Sequence, residues 1–158
     1  MPFADELADL LHRDLTRLIQ QIQAFTDPAT LWQCAPGITN SAGNLALHLE
    51  GNLREYVGRI VGGVPYQRVR DQEFSLKNLT PSHLARRIEE TRQIITASLR
   101  QMDEDQLPLT FPGDPSGVPM STRQFLIHLY GHFSYHLGQI DYLRRLLTEG
   151  KAVDYVKR

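Results

Sequence analysis

Three of the six histidines in this 158-residue chain stand four residues apart, in Phe125-Leu-Ile-His128-Leu-Tyr-Gly-His132-Phe-Ser-Tyr-His136-Leu-Gly-Gln139. Neutral imidazole is the commonest protein ligand for transition metals, and a spacing of four places successive side chains on one side of a helix. A helix rises ~1.5 Å per residue, so His128 and His136 lie ~12 Å apart along the axis. A metal ~2.0–2.1 Å from each ring nitrogen would have to sit midway between them on a nearly straight line, with His132 crowding the same point. Only two adjacent histidines of this helix fit one ion, and a further donor must come from elsewhere.

Angular position decides between the two adjacent pairs. At ~100° per residue with His132 at zero, Phe125, Leu129, Ile140, Leu143 and Leu147 fall between ~20° and ~80°. His136 falls near ~40°, inside that apolar stripe, and His128 near ~−40°, outside it. The expected inward pair is therefore His132 and His136. Among the other histidines, His83 is in the first turn of its helix and His12 is peripheral to its stripe. His48 lies mid-helix beside Leu45, Leu49 and Asn52, with Asn44 and Asn52 one turn to either side. That polar island on a core-facing surface favours His48 as the third donor.

Three neutral imidazoles leave the full charge on a divalent ion and at least one coordination position open, the layout of a catalytic site. Nitrogen donors suit zinc, nickel or ferrous iron. Such an ion lowers the pKa of a bound water or thiol, so hydrolysis and thiol transfer are both open to it. The sequence gives no firm general base. Glu50 and Glu55 lie off the His48 stripe and are expected in solvent. Glu73 lies in a long connection, where it is either a surface carboxylate or folds over the mouth of the bundle. Gln139, one turn beyond His136, is expected to contact that ring or a second subunit. Cys34 has nothing basic beside it and is expected to be inert. No HExxH pattern occurs, which excludes a zinc protease of that type.

The elements that must position these residues are helical. Apolar residues recur with helical period over about 3–25 (Leu7, Leu11, Leu15, Leu18, Ile22), 41–61 (Leu45, Leu49, Leu53, Tyr56, Ile60), 81–103 (Leu84, Ile88, Ile95, Leu99) and 121–148. Asp27-Pro28 ends the first segment and Gly62-Gly63-Val64-Pro65 the second. Asn40 or Ser41 can cap the second, Thr80 before Pro81 caps the third, and Ser121 with Gln124 caps the fourth. A breaker-rich loop, 111–119, precedes the last helix. No segment reads as a strand. The chain is expected to be an all-α four-helix bundle, one domain over residues 1–158, with a single long crossover (62–79) between the second and third long helices.

Composition removes several function classes. The formal net charge is −1, and the one basic run, Arg54 to Arg70, is diluted by Glu55 and apolar residues, so nucleic acid is not an expected partner. A single cysteine forbids an intrachain disulfide. The acidic amphipathic start is unlike a signal peptide, and no run approaches the ~20 apolar residues of a membrane span. A cytoplasmic protein without membrane partners is the expectation.

The segment His128-x-x-x-His132-x-x-x-His136-x-Gly138-Gln139 resembles the C-terminal helix signature of the DinB/YfiT-like superfamily. Asn40-Ser-Ala-Gly-Asn44-Leu-Ala-Leu-His48-Leu-Glu-Gly-Asn52-Leu-Arg54 and Arg70-Asp71-Gln-Glu73-Phe74 are similar to consecutive motifs of one DinB-like branch. The resemblance implies a four-helix bundle, often homodimeric, with a metal on one histidine of the second helix and two of the last: here His48, His132 and His136. His128 matches a family histidine not counted as a ligand. Leu137 stands where many members carry arginine, so no role tied to that arginine is expected. Characterised relatives include thiol transferases using bacillithiol or mycothiol and a mycothiol-dependent maleylpyruvate isomerase. The resemblance thus implies a small-molecule substrate and, for some members, a low-molecular-weight thiol cofactor. Two other readings compete: a non-catalytic metal-binding or sensor bundle, and a structural dimerisation module.

Overall fold

A computed structural model describes residues 1–113 and 117–155. Part of the breaker-rich loop, 114–116, lies outside the described residues. Helix α1 spans Phe3–Gln23, α2 Ala42–Leu53, α3 Arg70–Ser75, α4 Pro81–Arg100 and α5 Thr122–Thr148. The caps follow from short polar side chains at the starts. The hydroxyls of Ser41, Thr80 and Ser121 accept hydrogen bonds from the backbone N–H groups of Asn44, His83 and Gln124. Ser41, rather than Asn40, therefore starts α2. Among the described residues there is no named strand, only an isolated bridge between Thr110 and Ser121.

Side-chain pairs fix the direction of each helix. Arg100 meets Asp9 and Arg92 meets Thr16, so α4 runs antiparallel to α1. The Tyr130 hydroxyl donates to Asp14 and the Gln21 amide to Asp141, so α5 runs parallel to α1. Tyr56 stacks edge-on against Phe125 at 5.2 Å while His48 meets His132, so α2 and α5 are antiparallel. Glu50 pairs with Arg87, and Gly62 abuts Ser98, so α2 and α4 are parallel neighbours. Parallel neighbours need a connection that returns the length of the bundle, and residues 62–80 make that return. The shared core is built from Leu11, Leu15, Leu18, Ile22, Leu49, Leu53, Leu84, Ile88, Ile95, Leu99 and Phe133, each under 2% exposed.

Two features depart from the sequence expectation. The crossover, for which no element was expected, carries the short helix α3. Asn44 on α2 donates its side-chain amide to the carbonyls of Glu73 and Leu76 (3.0 and 2.8 Å), and Trp32 donates its indole N–H to the Leu79 carbonyl (3.0 Å). These bonds satisfy carbonyls at and beyond the end of α3 and hold the segment against α2. Second, α2 continues into π-helical turns over Arg54–Val61. Such turns, bonded i to i+5, use more residues per turn than 3.6 and shift the inward face. The stripe Leu49, Leu53, Tyr56, Ile60 accordingly becomes Leu49, Leu53, Val57. Val57 is fully buried, and Tyr56 and Ile60 pack at the edge of the core.

Candidate metal centre

His48 projects from α2 and His132 and His136 from α5, and the antiparallel crossing brings the three rings together. Their centroids lie 5.1 Å (His48–His132), 5.5 Å (His48–His136) and 4.5 Å (His132–His136) apart, all edge-on. One nitrogen of each lies within 4.8 Å of the others, and among the described residues this is the group of such side chains with metal-holding spacing. The Nε2 atoms of His48 and His132 are 3.2 Å apart. Two nitrogens ~2.0–2.1 Å from a common ion lie ~2.9 Å apart at a right angle and ~3.4 Å apart at the tetrahedral angle. The observed pair falls between, so the donor set fits a divalent ion without rearrangement of this edge.

The protonation pattern also favours a metal. Burial, reinforced by His136 and His48, pushes His132 down to about 4. Burial likewise lowers His136. Both rings are neutral at pH 7 and carry a lone pair. Gln139 offers its carbonyl oxygen to Nδ1 of His136 at 2.6 Å, which places the hydrogen there and leaves Nε2 as donor to an ion. Asn52 contacts Nε2 of His48 at 3.1 Å and lies 3.5 Å from Nδ1 of His132.

The connection supplies the remaining partner. Glu73, on α3, is only 6% exposed and places Oε2 2.9 Å from Nδ1 of His48. Arg68 donates from Nε to Oε1 (2.6 Å) and from Nη2 to Oε2 (2.9 Å) of the same carboxylate. Burial pushes Glu73 up, but the hydrogen bonds from His48 and Arg68 outweigh it, and the net shift is downward. An ionised carboxylate only accepts, so a His48 hydrogen sits on Nδ1, and its Nε2 faces that of His132. Gly51 makes the arrangement possible: a Cβ there would stand 2.0 Å from Oε1 of Glu73.

The sequence expectations for three carboxylates are corrected, while the excluded histidines stay outside the cluster. Glu73 is not a surface carboxylate. Glu50 is not in solvent: it is 1% exposed, lies 3.0 Å from Arg87 and 3.6 Å from Arg54, and burial raises its pKa against those two cations. Glu55 is partly covered and pairs with Arg59. His128 is exposed on the outer side of α5, His12 pairs with Arg92 and His83 is exposed at the start of α4, so none joins the cluster. Cys34 is exposed, its sulfur 3.6 Å from the Thr39 carbonyl. Sequence reasoning missed Arg68 and Gly51 entirely. A glycine inside a helical run carried the available signal, because it costs helix stability unless something packs against it.

The lowered His132 pKa has a pH consequence in metal-free protein. On unfolding, the ring returns to about 6.5 and binds a proton that the folded chain takes up only near about 4. The unfolded state therefore binds more protons between those values, and stability falls as pH drops from about 6.5 towards about 4. Urea denaturation of metal-stripped protein across that window should show the fall, and His132→Asn should flatten it. An equal slope in both proteins would contradict the assignment.

Comparison with known proteins bears on family and fold. A family model described as mycothiol-S-transferase matches residues 6–149. Among solved structures, a DinB-like protein from Bacillus cereus ATCC 10987 superposes with a TM-score of 0.68 at 18% identity over 89% of each chain. A DinB-like protein from Bacillus subtilis gives 0.70 at 16% identity, over 97% of this chain and 99% of that one. A conserved protein from Enterococcus faecalis gives 0.68 at 15% identity, over 95% and 99%. At such identities the likeness is one of fold. No curated protein matches the sequence. With a family match running from the first helix to the end of the last, and with DinB-like folds as structural neighbours, the chain belongs to the mycothiol-S-transferase family of the DinB-like superfamily.

Proposed function

We propose that His48, His132 and His136 hold one divalent transition-metal ion (zinc, nickel or iron), and that the protein is a metal-dependent S-transferase joining a low-molecular-weight thiol to a small electrophile. The observation that carries this reading is the convergence of three imidazoles, two with Nε2 atoms 3.2 Å apart, in a member of the mycothiol-S-transferase family. When bound, such an ion supplies Lewis acidity, lowering the pKa of a thiol at its open position so that the sulfur is nucleophilic at neutral pH.

The chain's own part is positioning. Glu73, clamped by Arg68, fixes the tautomer and orientation of His48. Gln139 does the same for His136. Thiol transfer is favoured over hydrolysis because the carboxylate beside the cluster, Glu73, is already engaged by Arg68 and His48, and because a free thiol starts from a pKa of ~8.5 against ~15.7 for water and so is ionised more readily by the same ion. Homodimeric assembly and a cytoplasmic location, where such thiols stay reduced, belong to the same proposal. No helix among the described residues is long and apolar enough to cross a membrane.

The test is thiol transfer to monochlorobimane with mycothiol, bacillithiol and glutathione as separate donors, using metal-loaded and chelator-stripped protein. Loaded protein is expected to accelerate transfer from at least one thiol, and stripping to abolish it. Metal binding without acceleration for any thiol would instead establish a binding or sensor bundle. Absence of metal binding would leave a structural module.

A further inference from the structure

Beside the histidine cluster, between the loop 37–40 and the second half of α5, lies a cavity of about 570 Å³. We propose that this cavity seats the uncharged, apolar arm of the electrophile. Its role in transfer rests on the function proposed above, but its ligand chemistry rests on the lining alone.

Three observations carry the assignment. The volume is within the ~300–1,000 Å³ typical of small-ligand sites. The lining contains no aspartate, glutamate, lysine or arginine; its main walls are Ile38, Leu45, Tyr135, Tyr142, Leu143 and Leu146. A charged ligand group would find no opposite charge there, whereas an apolar arm needs none. Four of the wall side chains are held open to water, Ile38 at 46%, Tyr135 at 65%, Tyr142 at 74% and Leu146 at 66% exposed. Such a patch is stabilised when an apolar body covers it.

The cavity also has an address. His136 lines it, and the same ring stands 4.5 Å from His132 in the cluster. A ligand lying between Tyr142 and Ile38 therefore ends at a donor of the metal centre.

The probe is N-phenyl-1-naphthylamine, an uncharged fluorophore that brightens in apolar sites, set against its sulfonated relative 1-anilinonaphthalene-8-sulfonate. The uncharged probe is expected to bind saturably at one site per chain. The sulfonated one should bind at least tenfold more weakly. Stripping the metal, or His132→Ala, should leave probe binding within twofold, since the walls belong to the chain. Leu146→Asp and, separately, Ile38→Asp should each weaken it tenfold or more. Both positions are substantially exposed, and an unchanged thermal melt confirms folding. Equal affinity for the two probes, or indifference to both substitutions, overturns the assignment. So does failure to bind the probe accompanied by loss of a dimer in Leu146→Asp, which would make this face a subunit contact. Probe binding with no thiol transfer sinks the proposed reaction and spares the cavity's ligand class. Transfer without probe binding does the reverse.

Discussion

A His132→Ala chain is expected to emerge from purification with less than about a tenth of the metal held by wild type, because a two-donor site no longer competes with solvent and buffer ligands. His132 is the central ring of the three. Its Nε2 is 3.2 Å from that of His48 and its ring 4.5 Å from that of His136, whereas the outer two rings are 5.5 Å apart. The same loss should be visible as heat stability. A ligand present at ~1,000 times its Kd adds ~4 kcal/mol to the folded state. For a chain of this size ~1 kcal/mol moves Tm by ~2–4 °C, so loaded wild type should melt ~8–16 °C above stripped wild type. In His132→Ala that gap should close, while stripped mutant and stripped wild type stay close at neutral pH. His128→Ala is the control. It removes a neighbouring histidine of the same helix that is exposed and outside the cluster, and should keep both the metal and the gap. Equal metal content in His132→Ala and wild type would refute the site.

The residues that were legible in sequence are those whose placement follows from one helix. The choice of His132 and His136 over His128 needed only the 3.6-residue period and the apolar stripe from Phe125 to Leu147. The same period gives the four long helices, and short polar side chains give their starts. His48 was harder, because its partnership with α5 is tertiary. Asn44 and Asn52 around it were the sole local hint, and both turn out to matter: Asn44 pins α3, and Asn52 touches His48.

What escaped the reading shares one physical cause. A helical wheel assumes one buried face, but α2 is covered almost all round, with every residue from Ser41 to Leu53 buried except His48. The side of α2 that looked outward is roofed by α3 and by Arg87 from α4. Glu50 and Glu73 are therefore buried carboxylates rather than surface ones, each offset by arginine. The path of the roof is set by side-chain bonds from Asn44 and Trp32, not by periodicity. No pattern in 62–79 announces it.

Gly51→Ala tests that roof, and its expected result runs against local preference. Alanine is the better helix former by ~1 kcal/mol, so an isolated α2 would gain. Here the new methyl would stand 2.0 Å from Oε1 and 2.7 Å from Cδ of Glu73. Something must move, and α3 is held by the two bonds from Asn44, so the carboxylate at the end of its flexible stem gives way. His48 then loses the acceptor for its Nδ1 hydrogen, and Arg68 loses its partner. Removing a carboxylate that orients a metal-bound histidine lowers metal affinity ~10–100-fold, and that is the loss expected for Gly51→Ala. A Glu73→Ala chain should show a similar loss. The decisive measurement is the double variant, titrated with zinc against a competing chelator. If Gly51 acts on the metal only by leaving room for Glu73, then Gly51→Ala should change zinc affinity by less than about twofold once Glu73 is alanine. Independent, multiplying losses would show that the glycine shapes the site by another route. Helical content should barely change in either variant, whereas stripped Glu73→Ala should melt below stripped wild type, because Arg68 is left largely buried without its carboxylate.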